Sequence, residues 1–148
     1  MTVELVAVDV GGQRWAIPLA AVERVVPMVA ITPLPESPAG VRGAINVGGE
    51  IVPVLDLDVR IGRPERERGA GAQLVLARTS TRRVALPVDD VLGVIAAAAV
   101  GPPIENVPAP MAGTAALPDG MLAIYDVDAF LTAADEELLE AALAGAER

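Results

Sequence analysis

Leu5-Val6-Ala7-Val8 recurs as Leu74-Val75-Leu76-Ala77, and without a gap Ala16-Ile17-Pro18-Leu19 recurs as Ala85-Leu86-Pro87-Val88. Val22, Val25 and Val26 return as Val91, Val94 and Ile95, so the offset holds at 69 residues, the step from Leu5 to Leu74. At 70, Ile51-Val52 meets Met121-Leu122, and Asp56-Leu57-Asp58 meets Asp126-Val127-Asp128. A period this long exceeds that of a stacked solenoid and points to two related subdomains. Chance likeness among abundant Val and Ala is the alternative. The pairing of Pro18 with Pro87, and of the two Asp-x-Asp ends, favours duplication. The expected units are about 1–62, with 132–148 returning to it, and 72–131. A unit of about 70 residues buries only a thin core alone, so two gain by packing across an apolar seam.

Each half reads as strands. Val3 to Val10 and Ala72 to Ala77 open the halves, followed by turn residues Gly11-Gly12-Gln13 and Thr79-Ser80-Thr81. Second strands run through Ala16-Ile17 and Ala85-Leu86 and end at Pro18 and Pro87, since proline donates no ladder hydrogen bond. Short runs begin at Val22 and Val91. Arg42 to Val47 and Glu50 to Asp56 flank Gly48-Gly49, the pattern of a tight hairpin needing positive φ. Thr114 to Leu117, Pro118-Asp119-Gly120 and Met121 to Asp126 echo it. Pro53 inside a strand implies an edge or a bulge.

Helix is confined to short turns and the C-terminus. Asp56 and Asp126 can cap turns at Leu57 to Ile61 and Val127 to Leu131. Thr132 with Asp135 resembles a capping box for a helix from Ala133 to about Ala146. Leu138, Leu139, Ala142 and Leu143 form its apolar stripe, which packs on a subdomain or meets a partner. Gly62 to Ala72 is a hydrophilic connection, and Gly101 to Pro110 a proline-rich loop.

Composition then removes whole function classes. Hydrophobic residues make up 53% of the 148, so a packed interior is expected. Trp15, Tyr125 and Phe130 are the only aromatics, which leaves the core to aliphatic, often β-branched side chains. The formal charge is −9, which repels phosphate backbones and anionic membrane surfaces. The N-terminal residues lack a signal-peptide pattern, and the run from Val91 to Val100 is too short to span a bilayer. A cytoplasmic protein, monomeric in isolation, is expected.

Reactive chemistry is hard to find. There is no Cys, no His and no Lys, hence no thiolate, imidazole base, His metal ligand or Schiff base. Ser37 and Ser80 have no neighbouring base, and no glycine-rich phosphate loop precedes a helix. Paired aspartates from two barrels can share a proton in acid proteolysis, which makes Asp56 and Asp126 the one enzymatic candidate. That chemistry wants Asp followed by Thr or Ser and then Gly; here Leu57 and Val127 follow. Asp56 with Asp58 also lacks the glycine-containing Asx loop of a Ca²⁺ site. No catalysis, cofactor or metal is expected.

The order of motifs resembles the CheW-like coupling proteins of bacterial chemotaxis over nearly the whole chain. Carrying it are Trp15-Ala16-Ile17-Pro18-Leu19, Val22 to Pro27, Ile31-Thr32-Pro33-Leu34-Pro35, Val41-Arg42-Gly43-Ala44-Ile45-Asn46 and Gly49. Ile51-Val52-Pro53-Val54-Leu55-Asp56-Leu57 and Ala85-Leu86-Pro87-Val88-Asp89-Asp90-Val91 continue it. The resemblance implies an all-β fold of two five-stranded SH3-like barrels packed on each other. It also implies an adaptor that joins the cytoplasmic tip of chemoreceptors to the regulatory domain of a CheA-type histidine kinase at membrane receptor arrays. Two places depart from the family pattern. Gly48 stands where Arg is common before the hairpin glycine, and Arg24 where Glu is common in Val-x-Glu-Val. They imply tuning to its own kinase and receptor, or to a chemosensory pathway not driving flagella.

An adaptor poor in aromatics must use aliphatic edges, with Arg as the polar anchor. Arg24, Val25, Arg42, Ile45, Asn46 and Ile51 are the candidates for the kinase; Ile45 and Ile51 could instead fill the first barrel. For the receptor, a helical hairpin, the seam with Ile31, Leu34 and Val94 is the candidate groove. A different class of function, a double barrel binding a small ligand in the seam, needs convergent polar groups that the sequence scarcely offers.

Overall fold

The computed structural model describes residues 3–60, 69–97, 100–102, 111–118, 120–129 and 133–146. The cap at Thr132, the turn residue Asp119 and most of the 62–72 connection and the proline-rich loop lie outside them. So does the end of the turn expected from Val127 to Leu131; Val127, Asp128 and Ala129 are a bend and turn without helix.

The first half supplies β1 (Val3–Val10), β2 (Gln13–Pro18), a 3-10 turn at Leu19–Ala21, β3 (Val22–Pro27), β4 (Val41–Val47), β5 (Glu50–Leu55) and the short helix α1 (Leu57–Arg60). The second supplies β6 (Gln73–Arg78), β7 (Arg83–Val88), β8 (Asp90–Ala97), β9 (Val100–Gly101), β10 (Met111–Leu117), β11 (Gly120–Tyr125) and helix α2 (Ala133–Ala146). One sheet has the order β8-β1-β2-β11-β10-β9 and the other β3-β6-β7-β5-β4. β8 and β9 are successive in the chain yet sit at opposite edges, so the first sheet closes on itself as a barrel. The second closes where Thr32, beyond β3, bridges Ala44 of β4 through hydrogen bonds of 2.9 and 2.8 Å.

The barrels are not the two halves, and this corrects the expected division of the chain. β1 and β2 pair with β8 and β11 of the second half, while β6 and β7 pair with β3 and β5 of the first. The halves exchange their opening hairpins. The crossings are short: Leu19–Ala21 carries the chain from β2 to β3 in the other sheet, and Asp89 alone carries it back from β7 to β8.

Exchange explains why the repeated strings are apolar without alternation, as strands buried on both faces are. Leu5 and Ala7 point into their own barrel with Ala16, Leu122 and Ile124. Val6, Val8 and Val10 point into the seam, where they meet Trp15, Ile17, Val75, Ala77, Val84, Leu86 and Val88. Leu74, Leu76 and Ala85 fill the second barrel with Ile45, Val52 and Val54. The seam is thus the largest core of the molecule. Trp15 and Tyr125 stack inside it, ring centroids 4.3 Å apart and 11° from parallel.

Local chemistry follows the sequence closely. Gly48 and Gly49 have φ of 59° and 93°, the two positive values of the two-residue hairpin between β4 and β5. Asn46 Oδ1 accepts the Gly49 N–H at 2.8 Å and holds that turn. Asp56 Oδ1 accepts the N–H of Asp58 at 2.9 Å and of Val59 at 3.3 Å, capping α1. Asp126 accepts the Ala129 N–H at 3.2 Å in the repeat-related place. Leu139 and Ala142 of α2 enter the seam core, Leu143 packs beside them, and Leu138 faces outward. Arg82 ties the helix down through Glu136, with Nε to Oε2 at 3.0 Å, and through Glu140.

Candidate functional site

The seam does not offer the groove expected of it. Its aliphatic side chains are almost wholly buried, so among the described residues its interior leaves no slot for a helical hairpin. One opening lies beside it, between the loop Thr32 to Glu36 and α2. It has a volume of about 510 Å³ and is lined by Thr32, Pro33, Leu34, Leu138, Ala142 and neighbouring side chains. Leu34 stands on its inner wall, 7% exposed, and Leu138 on its outer wall, 51% exposed. Ile31 precedes it in the chain, half-buried against the core of the second barrel. Val94 is not brought to them: it is exposed on the outer face of β8, in the other barrel.

The six residues expected to meet a kinase divide just as clearly. Ile45 is buried inside its barrel and is core. Arg42 lies with Nε 3.6 Å from Oδ2 of Asp56, a fully buried carboxylate, and so serves that ion pair. Val25 and Ile51 are half-buried, each packed against the seam core from its own strand. Arg24 and Asn46 are exposed.

Arg24, Ile51 and Asn46 border one end of the second barrel, and an ionic ladder crosses that rim. Arg83, at the start of β7, donates from Nε to Glu23 Oε1 at 2.9 Å and from Nη2 to Glu23 Oε2 at 3.0 Å. Its Nη1 donates to Glu50 Oε2 at 3.0 Å. Arg78 of β6 adds a longer ion pair to Glu23, at 3.6 Å. The hydrogen bonds from Arg83, with the charges of Arg83, Arg78 and Arg24, hold the Glu23 carboxyl below the ordinary glutamate range against the opposing pull of desolvation. Glu23 in return raises the Arg83 guanidinium.

Sequence reasoning passed over Arg83. It belongs to the second half, and only the exchanged hairpin brings it to the first half's barrel. Its repeat counterpart, Arg14 at the same offset of 69, marks the start of β2. That correspondence was the available signal, but it could not say which sheet receives the strand.

The proteolytic candidates are accounted for by structure. Asp56 caps α1 and pairs with Arg42, and Asp126 caps the turn at Ala129. They end strands of different sheets. Among the described residues no group of three or more acidic side chains is placed to hold a metal ion. Among them, too, no helix is long and apolar enough to cross a membrane.

Comparison with known proteins gives concordant matches. The profile of the CheW-like domain matches residues 4–135. The chemotaxis protein CheW of Rhizobium meliloti is 33% identical over 92 residues, covering 62% of this chain and 59% of that protein. The chemotaxis protein CheW of Thermotoga maritima is 34% identical over 92 residues, 62% of this chain and 60% of its own. Protein FrzA of Myxococcus xanthus is 31% identical over 107 residues, 72% and 64% respectively. The matches to the two chemotaxis relatives span about three-fifths of those proteins' length. Among solved structures, the scaffolding protein TtCheW of Thermoanaerobacter tengcongensis superposes with a TM-score of 0.82. That match is at 26% identity and covers 91% of this chain and 96% of the other.

Proposed function

The chain belongs to the CheW-like domain family, and from that premise we propose that it is a non-catalytic chemotaxis adaptor coupling chemoreceptor tips to a CheA-type histidine kinase. The observation that carries the reading is the twin-barrel fold shared with a scaffolding protein over nine-tenths of the chain, with its seam closed by aliphatic packing. A protein whose interior is filled in this way works through its outside.

The kinase regulatory domain docks on the end of the second barrel, where Arg24 is exposed and Ile51 and Val25 present half-buried aliphatic surface. Arg is an efficient anchor there, because one side chain offers both charge and area. The receptor tip lies along the groove between Leu34 and α2, with Ile31 just before it in the chain. An amphipathic helix fits such a slot by inserting apolar side chains at helical spacing. The adaptor acts in the cytoplasm and is recruited to receptor arrays by these contacts. The departures at Arg24 and Gly48 leave a chemosensory pathway not driving flagella as the second setting for the same activity.

Reconstitution tests this directly. Receptor-tip fragments and the host's CheA-type kinase are mixed with and without the chain, and kinase autophosphorylation is followed. Receptor-dependent stimulation that requires the chain is the expected result. Autophosphorylation indifferent to the chain contradicts it.

A further inference from the structure

We infer that Arg83 is a positioning residue for the kinase-facing rim, holding Glu23 so that Arg24 remains available to a partner; the inference rests on the adaptor reading above. β3 is the edge strand of its sheet, paired only with β6. Its pairing slips between Val22 and Arg24, a bulge that disrupts the ladder around Glu23. Side-chain bonds take over at that point. The two donors of Arg83 that face β3 grip both oxygens of Glu23, and the third reaches Glu50 at the start of β5. One guanidinium therefore ties the strand carrying Arg24 to the strand carrying Ile51, although β3 and β5 are not neighbours in the sheet.

The fork matters more than the charge. Arginine presents fixed, coplanar donors that can satisfy a carboxylate bidentately and still reach a second acceptor, whereas an ammonium is a point charge on a flexible stem. Exposed ion pairs add little to folding stability, so the consequence lies in geometry. With Arg83 in place, Glu23 has its hydrogen bonds filled. Among the described residues the Arg24 side chain makes no hydrogen bond or close ion pair, and it stands exposed next to Glu23 in the chain. Without Arg83, the nearest cations to claim Glu23 are Arg24 and Arg78, and an Arg24 folded back onto Glu23 is withdrawn from a partner. Three arginines at this rim, Arg24, Arg78 and Arg83, outnumber Glu23 and Glu50 on a chain whose net charge is −9. The partner face that fits it carries carboxylates.

The test is calorimetric titration of the 148-residue chain with the host kinase's regulatory domain and, separately, with a receptor-tip fragment. Arg83→Gln should weaken kinase binding about tenfold, the scale of a lost charged contact at an interface. Its receptor-tip binding and its Tm, within about 2 °C, should not change. Arg83→Lys should restore only part of the affinity. The double variant Glu23→Gln with Arg83→Gln should return to within about threefold of the unsubstituted chain, since Glu23 can no longer capture Arg24. Unchanged kinase binding in Arg83→Gln overturns the inference, as does failure of Glu23→Gln to rescue. A joint fall of Tm and both affinities makes Arg83 a structural brace and overturns it too. If the unsubstituted chain itself ignores the kinase, the adaptor reading fails and the inference goes with it.

Discussion

Arg42 and Glu23 show how differently two charged residues can be used within one barrel. Asp56 is fully buried and gives one oxygen to the amides of α1 and the other to Arg42. Taking away the cation leaves a carboxylate in a dry site, which costs about 3 kcal/mol when a buried pair is broken. Arg42→Glu should therefore lower thermal stability markedly, in contrast to its expected role as a pure partner contact. A melting curve that matches the unsubstituted protein would return Arg42 to the binding surface. Glu23 is solvent-facing, and its ion pair is a matter of protonation. Its carboxyl lies lower in the folded chain than in the unfolded one, so the favourable pairing is complete above the unfolded value and is lost as pH falls through the folded one. Kinase binding should stay flat from neutral pH down to the ordinary glutamate range, and protonation of Glu23 below it should not by itself weaken binding, since a neutral Glu23, like Glu23→Gln, cannot capture Arg24. Carbon-detected NMR titration of Glu23 checks the cause: its midpoint should rise in Arg83→Gln.

Among the elements, the strand pairs that close each barrel decide whether there is a rim at all. The second barrel closes where Thr32 meets Ala44, and Gly43 makes the approach possible. Its φ is +152°, and a Cβ there would sit 2.2 Å from the Thr32 carbonyl oxygen and 2.9 Å from Ile31 Cγ2. The obstacle is backbone, which cannot swing away as a side-chain end can. Gly43→Ala should destabilise by at least about 2 kcal/mol, the scale of overpacking a tight core site. Hydrogen exchange should localise the loosening to Thr32 and Ala44 while β1 and β2 keep their protection. Uniform protection in the variant would contradict the closure. The hairpin elements were legible because their chemistry is local: Gly48-Gly49 needs positive φ, and Asp56 and Asp126 need only the amides that follow them. Strand faces were harder to read. Ile45 and Ile51 lie on adjacent strands that are buried towards the barrel on one side and the seam on the other, so hydrophobicity alone could not tell interior from margin.

For the whole molecule, the repeat was written in the sequence while its partnering was not. β1–β2 and β6–β7 carry nearly the same apolar strings, so either hairpin satisfies either barrel by pattern. The exchange is set by the short crossings at Leu19–Ala21 and Asp89, a property of connection geometry that residue periodicity does not encode. The same ambiguity hid Arg83, whose place at the rim exists only after the exchange. It has a thermodynamic consequence: neither half contains a complete sheet. Fragments 1–68 and 69–148 should each be largely unfolded alone and regain strand content and buried Trp15 fluorescence when mixed. Independent folding of either fragment would show that the exchanged pairing is dispensable.

The central claim is that this double barrel holds two partners at once on separate surfaces, the rim around Arg24 and the groove beside α2. Sedimentation velocity of the chain with the kinase regulatory domain and a receptor-tip fragment measures that directly. The account predicts a ternary species heavier than either binary complex, lost for the kinase but kept for the receptor in Arg24→Glu. Partners that displace each other, or a chain that sediments alone in the presence of both, would contradict it.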